Sequence, residues 1–204
     1  MILTMFLSGI IGYFFGCFST GLVLSRQKQV DIRSLGSKST GATNMTRVLG
    51  IRYGLLTFVG DFLKAALAVL AGWLIAGRYG AMAAGLGAVI GHNWPAFEEF
   101  RGGKGIVCSI AVMLCLYPVE SFFGIVTALL VIGITRYVSL GSLTFLTITS
   151  MLVLCRHPFW FGGAWALILL LLGVFRHLSN IDRLLKGTEN KLDLSKSAAK
   201  KQNG

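Results

Sequence analysis

The sequence is poor in charged residues, and acidic residues are the scarcest of them. Asp and Glu together number 8 against 19 Lys and Arg, and charged residues make up 13% of the 204 residues, where about 25% is typical of soluble domains. Hydrophobic residues make up 54%, so a soluble fold of this length would have too few polar side chains to cover its surface. Because lipid solvates apolar helix faces, the composition predicts an all-α membrane protein.

The four cysteines give no sign of a metal or redox centre. Cys17, Cys108, Cys115 and Cys155 all lie within apolar segments, and no two of them form a CxxC pair. They are better interpreted as small core or lipid-facing residues, and we expect no metal and no cofactor. The net charge of +11 comes without basic patches interleaved with aromatic residues, so no nucleic-acid partner is expected.

Long apolar stretches divide the chain into membrane spans of about 20 residues. The stretch 105–135 is ambiguous because Pro118 and Glu120 interrupt it near its middle, so it is either one kinked span or a hairpin of two short spans. The remaining five spans are residues 1–25, 53–77, 79–92, 137–155 and 157–175.

The distribution of Lys and Arg decides between these two topologies. With two spans in 105–135, one side of the membrane holds 16 Lys and Arg and the other side holds 2, with Lys64 left out because it lies inside a span. With one span there the count is 9 against 9. Because positive residues are retained in cytoplasmic loops, we predict a bundle of seven transmembrane helices, with the N-terminus outside and the C-terminus cytoplasmic. Residues 1–190 then form one catalytic domain, and residues 191–204 form a basic, disordered tail.

A Gly-rich loop on the predicted cytoplasmic side has the composition of an anion site. Residues 36–44 read GSKSTGATN, and Arg47 follows. Glycines let successive backbone N–H groups converge on an anion, and an Arg can clamp a phosphate with two hydrogen bonds. The loop has the glycine spacing of a nucleotide P-loop, but Ala42 and Thr43 stand where Lys and Ser or Thr belong, and no strand precedes it.

Three further polar sites lie on the same predicted face. GHNWP at 91–95 leads to GGKG at 102–105, where Lys104 and its glycines precede an apolar span, and a helix N-terminus favours anions. RYVSLGS occupies 136–142, and RHLSNIDR follows the last span from residue 176. His177 and Asn180 are three residues apart and share one side of a helix. Four such sites on one face indicate a centre that binds polyanions.

Together these motifs resemble those of the bacterial acyl-phosphate:glycerol-3-phosphate acyltransferases. The most specific parts are GATN with Arg47 downstream, GHNWP with GGKG, RYVSLGS, and RHLSNIDRLLKGTE, and the resemblance runs from the first span to about residue 189. The family's first motif usually reads GSGNxGATN, whereas this chain has Lys38, Ser39 and Thr40 in its middle.

The resemblance implies an enzyme that moves a fatty acyl group from acyl phosphate to the 1-hydroxyl of glycerol 3-phosphate. The products are 1-acylglycerol 3-phosphate and phosphate, in the first acylation of phospholipid synthesis. It also implies a multi-pass protein of the bacterial cytoplasmic (inner) membrane with its active site on the cytoplasmic face. Acyl phosphate, glycerol 3-phosphate and membrane lipid are then its partners.

An activated donor needs orientation and charge stabilisation rather than an enzyme nucleophile. We expect Arg47, Lys104 and His177 to be the catalytic residues, with the proton accepted either by an oxygen of acyl phosphate or by His177. The resemblance assigns Ser142, His177 and Asn180 to glycerol 3-phosphate. The expected substrate-binding residues are Gly36, Ser37, Gly41, Thr43, Asn44, Gly102, Gly103, Ser142 and Asn180.

Two alternatives compete with this interpretation. His177 and Asp182 match the H-x4-D pattern of another acyltransferase family, but residues five apart on a helix point about 140° away from each other. A small transporter or channel for an organic phosphate is the other alternative. Transporters usually carry ionisable groups near the bilayer midplane, and here only Asp61 and Lys64 lie inside a span, spaced as an i,i+3 pair.

Overall fold

The structure is a computed structural model that describes residues 1–192. All regular elements in these residues are helical, so the prediction of an all-α fold is confirmed. The α-helices are α1 (Ile2–Cys17), α2 (Thr20–Gln27), α3 (Ala42–Leu49), α4 (Ile51–Asn93), α5 (Ile106–Leu116), α6 (Pro118–Thr135), α7 (Val138–Arg156), α8 (Ala164–Arg176) and α9 (Leu178–Leu185). Short 3-10 and π-helical turns cover Ala96–Glu98 and Phe159–Gly163.

Several of these helices are long and apolar enough to cross a bilayer. Four segments of the described chain meet that condition, and a fifth does so if α8 and α9, which are bent by 60°, count as one broken span. Helix α5 is apolar but shorter. The seven-span topology stays a prediction. The four segments are Ile2–Gln27, Ile51–Glu98, Pro118–Thr135 and Val138–Arg156.

Two breaks lie where the sequence places the ends of spans. Helix α4 loses helical geometry at Ala76 and Gly77, and Gly77 has a φ of 58°, a left-handed conformation that glycine adopts without a steric penalty. The chain folds back there and brings Gly72 against Gly80. The two backbones lie so close that a Cβ on Gly72 would collide with the carbonyl of Gly80. The second break precedes Pro118, which begins α6 at a position where proline's missing N–H costs nothing.

A third break is absent from the sequence prediction. The first span was expected to run through residues 1–25, but α1 ends at Cys17 and Phe18 is extended. Ser19 then caps α2, its side chain accepting a hydrogen bond from the N–H of Leu22 at 3.4 Å. Lys64, buried in α4, donates a hydrogen bond to the carbonyl of Phe18 that this break exposes. Local hydropathy does not reveal this partner.

The described chain divides into two compact units, residues 1–112 and residues 113–192. In the first unit α1 packs closely on the second half of α4. The backbones are so near that Cβ atoms added to Gly12 and Gly16 would collide with the carbonyls of Ala84 and Ala88. Small residues allow such close backbone approach between membrane helices. A single catalytic domain over 1–190 stays a prediction.

In the second unit glycines serve the same purpose, and Gly124 lies against Thr149 between α6 and α7. The apolar centre of this unit includes Phe145, Leu146 and Leu169, all buried. Of the predicted tail, residues 193–204 lie outside the described residues. Leu192, just before them, donates its N–H to the carbonyl of Arg136 at 2.7 Å.

Candidate active site

Asn44 organises the first Gly-rich loop from inside. Its side chain is 1% exposed, and its Oδ1 accepts a hydrogen bond from the N–H of Ser37 at 2.8 Å. Its Nδ2 lies within 3.2, 3.0 and 2.9 Å of the carbonyls of Ile32, Leu35 and Ser39. These contacts gather the loop around one amide group, so the polar atoms of Asn44 are committed to the loop's own backbone.

Two residues of this loop adopt left-handed backbone conformations. Gly36 has a φ of 59°, and a Cβ there would collide with Oδ1 of Asn44. Lys38 has a φ of 58°, in the position where the family motif has its second glycine. The departure noted in the sequence therefore places a side chain in a conformation that costs about 1 kcal/mol or more for residues other than glycine.

Helix α3 begins where this loop ends and carries the remaining predicted residues of the first motif. Gly41 is its N-cap and accepts hydrogen bonds from the N–H groups of Asn44 and Met45, both at 3.1 Å. Thr43 is half-buried in the first turn, and Arg47 is half-buried in the last. The predicted residues from Gly36 to Arg47 thus form one local structure.

The second Gly-rich loop is attached to the end of α4. Gly103 donates its N–H to the carbonyl of His92 at 3.1 Å, and Gly102 donates to the carbonyl of Asn93 at 3.3 Å. A Cβ on Gly102 would collide with the carbonyl of His92, and one on Gly103 would collide with the His92 ring. Lys104, half-buried, stands two residues before the start of α5. Glycine is required here because the loop lies directly on α4.

A buried charged cluster lies behind this loop, built on the two ionisable residues that the sequence places inside a span. Asp61 Oδ1 and Lys64 Nζ are 2.9 Å apart, with side chains 1% and 5% exposed. The expected i,i+3 pair is therefore present. His92 joins it, with Nδ1 2.9 Å from Lys64 Nζ. The only sequence signal was a pair of charges in an apolar span.

In the second unit, His177 is oriented by the backbone of α8. Its ring is buried, and Nδ1 lies 2.8 Å from the carbonyl of Gly173. Because a carbonyl only accepts, Nδ1 carries the hydrogen, and a neutral ring has its lone pair on Nε2. That tautomer is the one a general base requires. Ser142, half-buried, donates its hydroxyl to the carbonyl of Val138 at 2.9 Å within the first turns of α7.

Asn180 is held by Glu189, a residue to which the sequence analysis assigned no role. Glu189 Oε1 accepts hydrogen bonds from Asn180 Nδ2 at 2.7 Å and from the hydroxyl of Ser139 at 3.0 Å, and Oε2 accepts one from Arg183 Nε at 2.7 Å. Burial raises the pKa of Glu189, but the hydrogen bonds from Asn180, Arg183 and Ser139 outweigh burial and hold that pKa below its ordinary value. The carboxylate thus ties α9 to the start of α7.

The structure also bears on the H-x4-D pattern. The carboxylate of Asp182 is exposed and pairs with Lys186 at 2.9 Å, one turn along α9. Nδ1 of His177 is engaged with the carbonyl of Gly173. In that pattern the aspartate must orient the histidine. Here Asp182 pairs with Lys186 and His177 is oriented by the carbonyl of Gly173, so the match to the pattern is accidental.

Comparisons with known proteins agree on one family. The family model described as glycerol-3-phosphate acyltransferase matches residues 6–187. The glycerol-3-phosphate acyltransferase of Thermoanaerobacter pseudethanolicus is 44% identical over 190 residues, which cover 91% of this chain and 94% of the relative.

Solved structures give the same result. The crystal structure of PlsY (YgiH), an integral membrane glycerol 3-phosphate acyltransferase, in its glycerol 3-phosphate form has a TM-score of 0.86 and 32% identity, and the match covers 93% of this chain and 96% of that one. The lysophosphatidic acid form has a TM-score of 0.84, also with 32% identity, covering 95% and 98%. The family predicted from the motifs is confirmed: this chain is an integral membrane protein that belongs to the glycerol-3-phosphate acyltransferase family.

Proposed function

We propose that this enzyme transfers a fatty acyl group from acyl phosphate to the 1-hydroxyl of sn-glycerol 3-phosphate. The observation that carries the proposal is the relationship to glycerol-3-phosphate acyltransferases over nearly the whole chain. The related PlsY structures, in glycerol 3-phosphate and lysophosphatidic acid forms, support the acceptor and the product. The products are 1-acylglycerol 3-phosphate and inorganic phosphate.

The cations of the first unit are assigned to phosphate binding. Arg47 supplies a planar guanidinium that can form two parallel hydrogen bonds with a phosphate, and Lys104 supplies a compact positive charge. The loop carrying Ser37 is shaped by Asn44, and the Gly102–Gly103 segment is bonded to α4 through its N–H groups. Arg47 on α3 and Lys104 beside Gly103 are therefore both held on an ordered backbone, which reduces the reorganisation needed as charge develops in the transition state.

The reaction needs no acyl-enzyme intermediate, because the donor is already activated. The 1-hydroxyl oxygen forms a bond with the acyl carbon, and the bond between that carbon and the phosphate oxygen breaks. The hydroxyl proton passes to an oxygen of the acyl phosphate or to Nε2 of His177, whose Nδ1 is bonded to Gly173. Ser142 and Asn180 are assigned to placing glycerol 3-phosphate.

We further propose seven transmembrane helices, with the N-terminus outside and the substrate loops on the cytoplasmic face of the bacterial inner membrane. The asymmetry of 16 against 2 Lys and Arg supports this orientation. The breaks at Gly77 and before Pro118 support counting α4 as two spans and α5 and α6 as two more.

Purified protein in detergent tests the function directly. With acyl phosphate and glycerol 3-phosphate, we expect release of phosphate and formation of 1-acylglycerol 3-phosphate. Acyl-coenzyme A should be essentially inactive, because residues 26–52, the longest cytoplasmic loop, carry no insertion large enough for an adenine and a pantetheine arm. A transporter would give no product in the absence of a sealed membrane, so that result would favour the alternative.

A further inference from the structure

The carboxylate of Glu98 lies between the two Gly-rich loops. Glu98 stands in the segment 95–101, which leads from the end of α4 to the second of these loops. Its Oε2 accepts a hydrogen bond from Nη2 of Arg26 at 2.7 Å, and Nη1 of Arg33 lies 3.8 Å from the same oxygen. One carboxylate on the approach to the second loop therefore contacts two guanidinium groups on the approach to the first.

Both arginines are attached to the first Gly-rich loop. Arg26 lies in the last turn of α2, and this helix packs so closely on the loop that a Cβ on Gly21 would collide with one of the loop's carbonyls. Arg33 lies in the stretch 32–35, and the carbonyls at both ends of that stretch are within hydrogen-bonding distance of Nδ2 of Asn44. The position of each guanidinium therefore follows the position of the first loop.

These ion pairs are better shielded than an ordinary surface pair. The side chain of Glu98 is 14% exposed, although that of Arg26 is 62% exposed. Nη1 of Arg33 is buried and forms no hydrogen bond with any group in residues 1–192. A buried charged nitrogen has a cost unless an anion is close to it. Asp31 contacts a different nitrogen of this side chain, Nε, at 3.9 Å, so Glu98 is the carboxylate that faces Nη1.

The backbone that follows Glu98 has to be held in place from both ends. Glu99 and Phe100 have φ of 55° and 58°, a left-handed conformation that residues with a Cβ adopt at a cost. Such conformations persist where the surrounding structure imposes them. At the far end, the N–H groups of Gly102 and Gly103 donate to carbonyls at the end of α4. At the near end, the ion pairs of Glu98 hold the segment.

We propose that Glu98 is a positioning residue of this enzyme, whose ion pairs with Arg26 and Arg33 fix the second Gly-rich loop against the first. Arg47 follows the first loop, and Lys104 lies in the second. Because acyl transfer requires both substrates in place at once, the ion pairs hold these two cations at the separation that the reaction needs. The effect on rate rests on the proposed function.

The charge of Glu98 can be removed with little change in side-chain size by the substitution Glu98→Gln. Glu99→Gln is the matched control, since Glu99 lies in the same segment and its pair with Arg101, at 3.8 Å, has side chains that are 74% and 76% exposed. The double variant Arg26→Gln/Arg33→Gln removes the same ion pairs from the other side. Combining it with Glu98→Gln completes a double-mutant cycle.

Steady-state kinetics distinguish positioning from substrate binding. We expect kcat of Glu98→Gln to fall by about tenfold, within the range that a small misplacement of reacting groups causes. The KM values for glycerol 3-phosphate and for acyl phosphate should stay within about threefold of the unsubstituted enzyme, because each loop keeps its own backbone bonds. The double arginine variant should show the same fall in kcat, and the triple variant should lose no more. Glu99→Gln should keep the kcat of the unsubstituted enzyme.

Hydrogen exchange tests the link between the loops without turnover. In Glu98→Gln the amides of Ser34 and Arg101, which are bonded within the segments on the two sides of the ion pairs, should exchange faster. The amides of Ser37 and Gly103 should exchange as in the unsubstituted protein, since their acceptors on Asn44 and on α4 are unchanged.

Several results would overturn the proposal. A raised KM with unchanged kcat would make Glu98 a binding residue, and an equal fall of kcat in Glu99→Gln would remove its special place. Unchanged kcat in Glu98→Gln contradicts the proposal directly, and additive losses in the triple variant would mean that the arginines act without Glu98. Faster exchange at Arg101 alone, or failure of Glu98→Gln to fold, would give Glu98 a local structural role instead. An inactive unsubstituted protein would count against the proposed function, and the exchange result would then decide whether Glu98 links the loops.

Discussion

Replacing Asn44 by Asp tests whether the first loop depends on a single buried amide. The substitution keeps the size of the side chain and the acceptor that the N–H of Ser37 uses at 2.8 Å. It removes the Nδ2 donor, which lies within hydrogen-bonding distance of the carbonyls of Ile32, Leu35 and Ser39. Because an NH₂ group has two hydrogens, it can form only two full hydrogen bonds with these three carbonyls at one time. The substitution therefore removes the equivalent of two hydrogen bonds.

The expected effect follows from that count. Two buried hydrogen bonds at about 1 kcal/mol each give about 2 kcal/mol. This corresponds to a fall of about thirtyfold in kcat/KM when the ordered loop is required for activity. Asn44→Ala should fall further, because it also removes the acceptor for Ser37 and leaves a cavity.

The assay is phosphate release by purified protein, together with hydrogen exchange at the amides of residues 32–40. We expect faster exchange across these amides in Asn44→Asp, and the largest increase at Ser37 in Asn44→Ala, which also removes the acceptor of the Ser37 N–H. Ser34→Ala is the control, since its exposed hydroxyl makes one bond to the carbonyl of Asp31 in the same loop. Near-native kcat/KM and unchanged exchange in Asn44→Asp would refute the view that Asn44 shapes the loop.

Four other predictions concern charge and backbone conformation. Arg47→Ala and Lys104→Ala should each lose most activity, by about 2–4 kcal/mol in transition-state stabilisation, while still inserting and purifying; near-native turnover in either would remove that residue from the site. Lys38→Gly should raise the unfolding temperature by relieving about 1 kcal/mol or more of left-handed strain, whereas Lys38→Ala should not. In a cysteine-free background, a cysteine at Lys38 should be protected from impermeant thiol reagents in intact cells and one at Arg78 should be labelled; the reverse pattern would invert the topology. The pKa of Glu189 is lowered from 4.5 in the folded protein, so the contribution of its carboxylate to stability is complete above pH 4.5 and is lost as the pH falls below that value. The unfolding temperature should fall over this acidic range, and Glu189→Gln should not show that part of the fall.

Local features of the sequence were sufficient for the helical class, two of the three breaks and the family. Hydropathy identifies apolar segments whatever their neighbours are. A glycine or a proline acts on the backbone dihedrals at its own position, which is why the breaks at Gly77 and Pro118 lie near where they were predicted. The motifs around Arg47 and Lys104 could also be read directly, because the residues of each lie within one short stretch.

Roles that depend on distant partners could not be read in this way. Asn44 was expected to bind substrate, and its buried amide is instead surrounded by backbone groups of its own loop; its assignment as a substrate ligand stays a prediction. Glu189 organises Asn180 and Ser139, yet in the sequence it is a single acidic residue shortly after the end of α9. A residue type shows which hydrogen bonds a side chain can form but not which groups will be beside it.

The surroundings of the helix break at Phe18 and of the His92 ring are also set by tertiary structure. Both contact Lys64, which reaches carbonyls 48 and 46 positions away and a ring 28 positions away. Composition alone determined that such a chain must lie in lipid, because too few polar residues exist to cover it. Which groups surround Lys64 was decided only when packing brought α1 and the two halves of α4 together, since a buried ammonium must find its acceptors among the groups that the fold supplies.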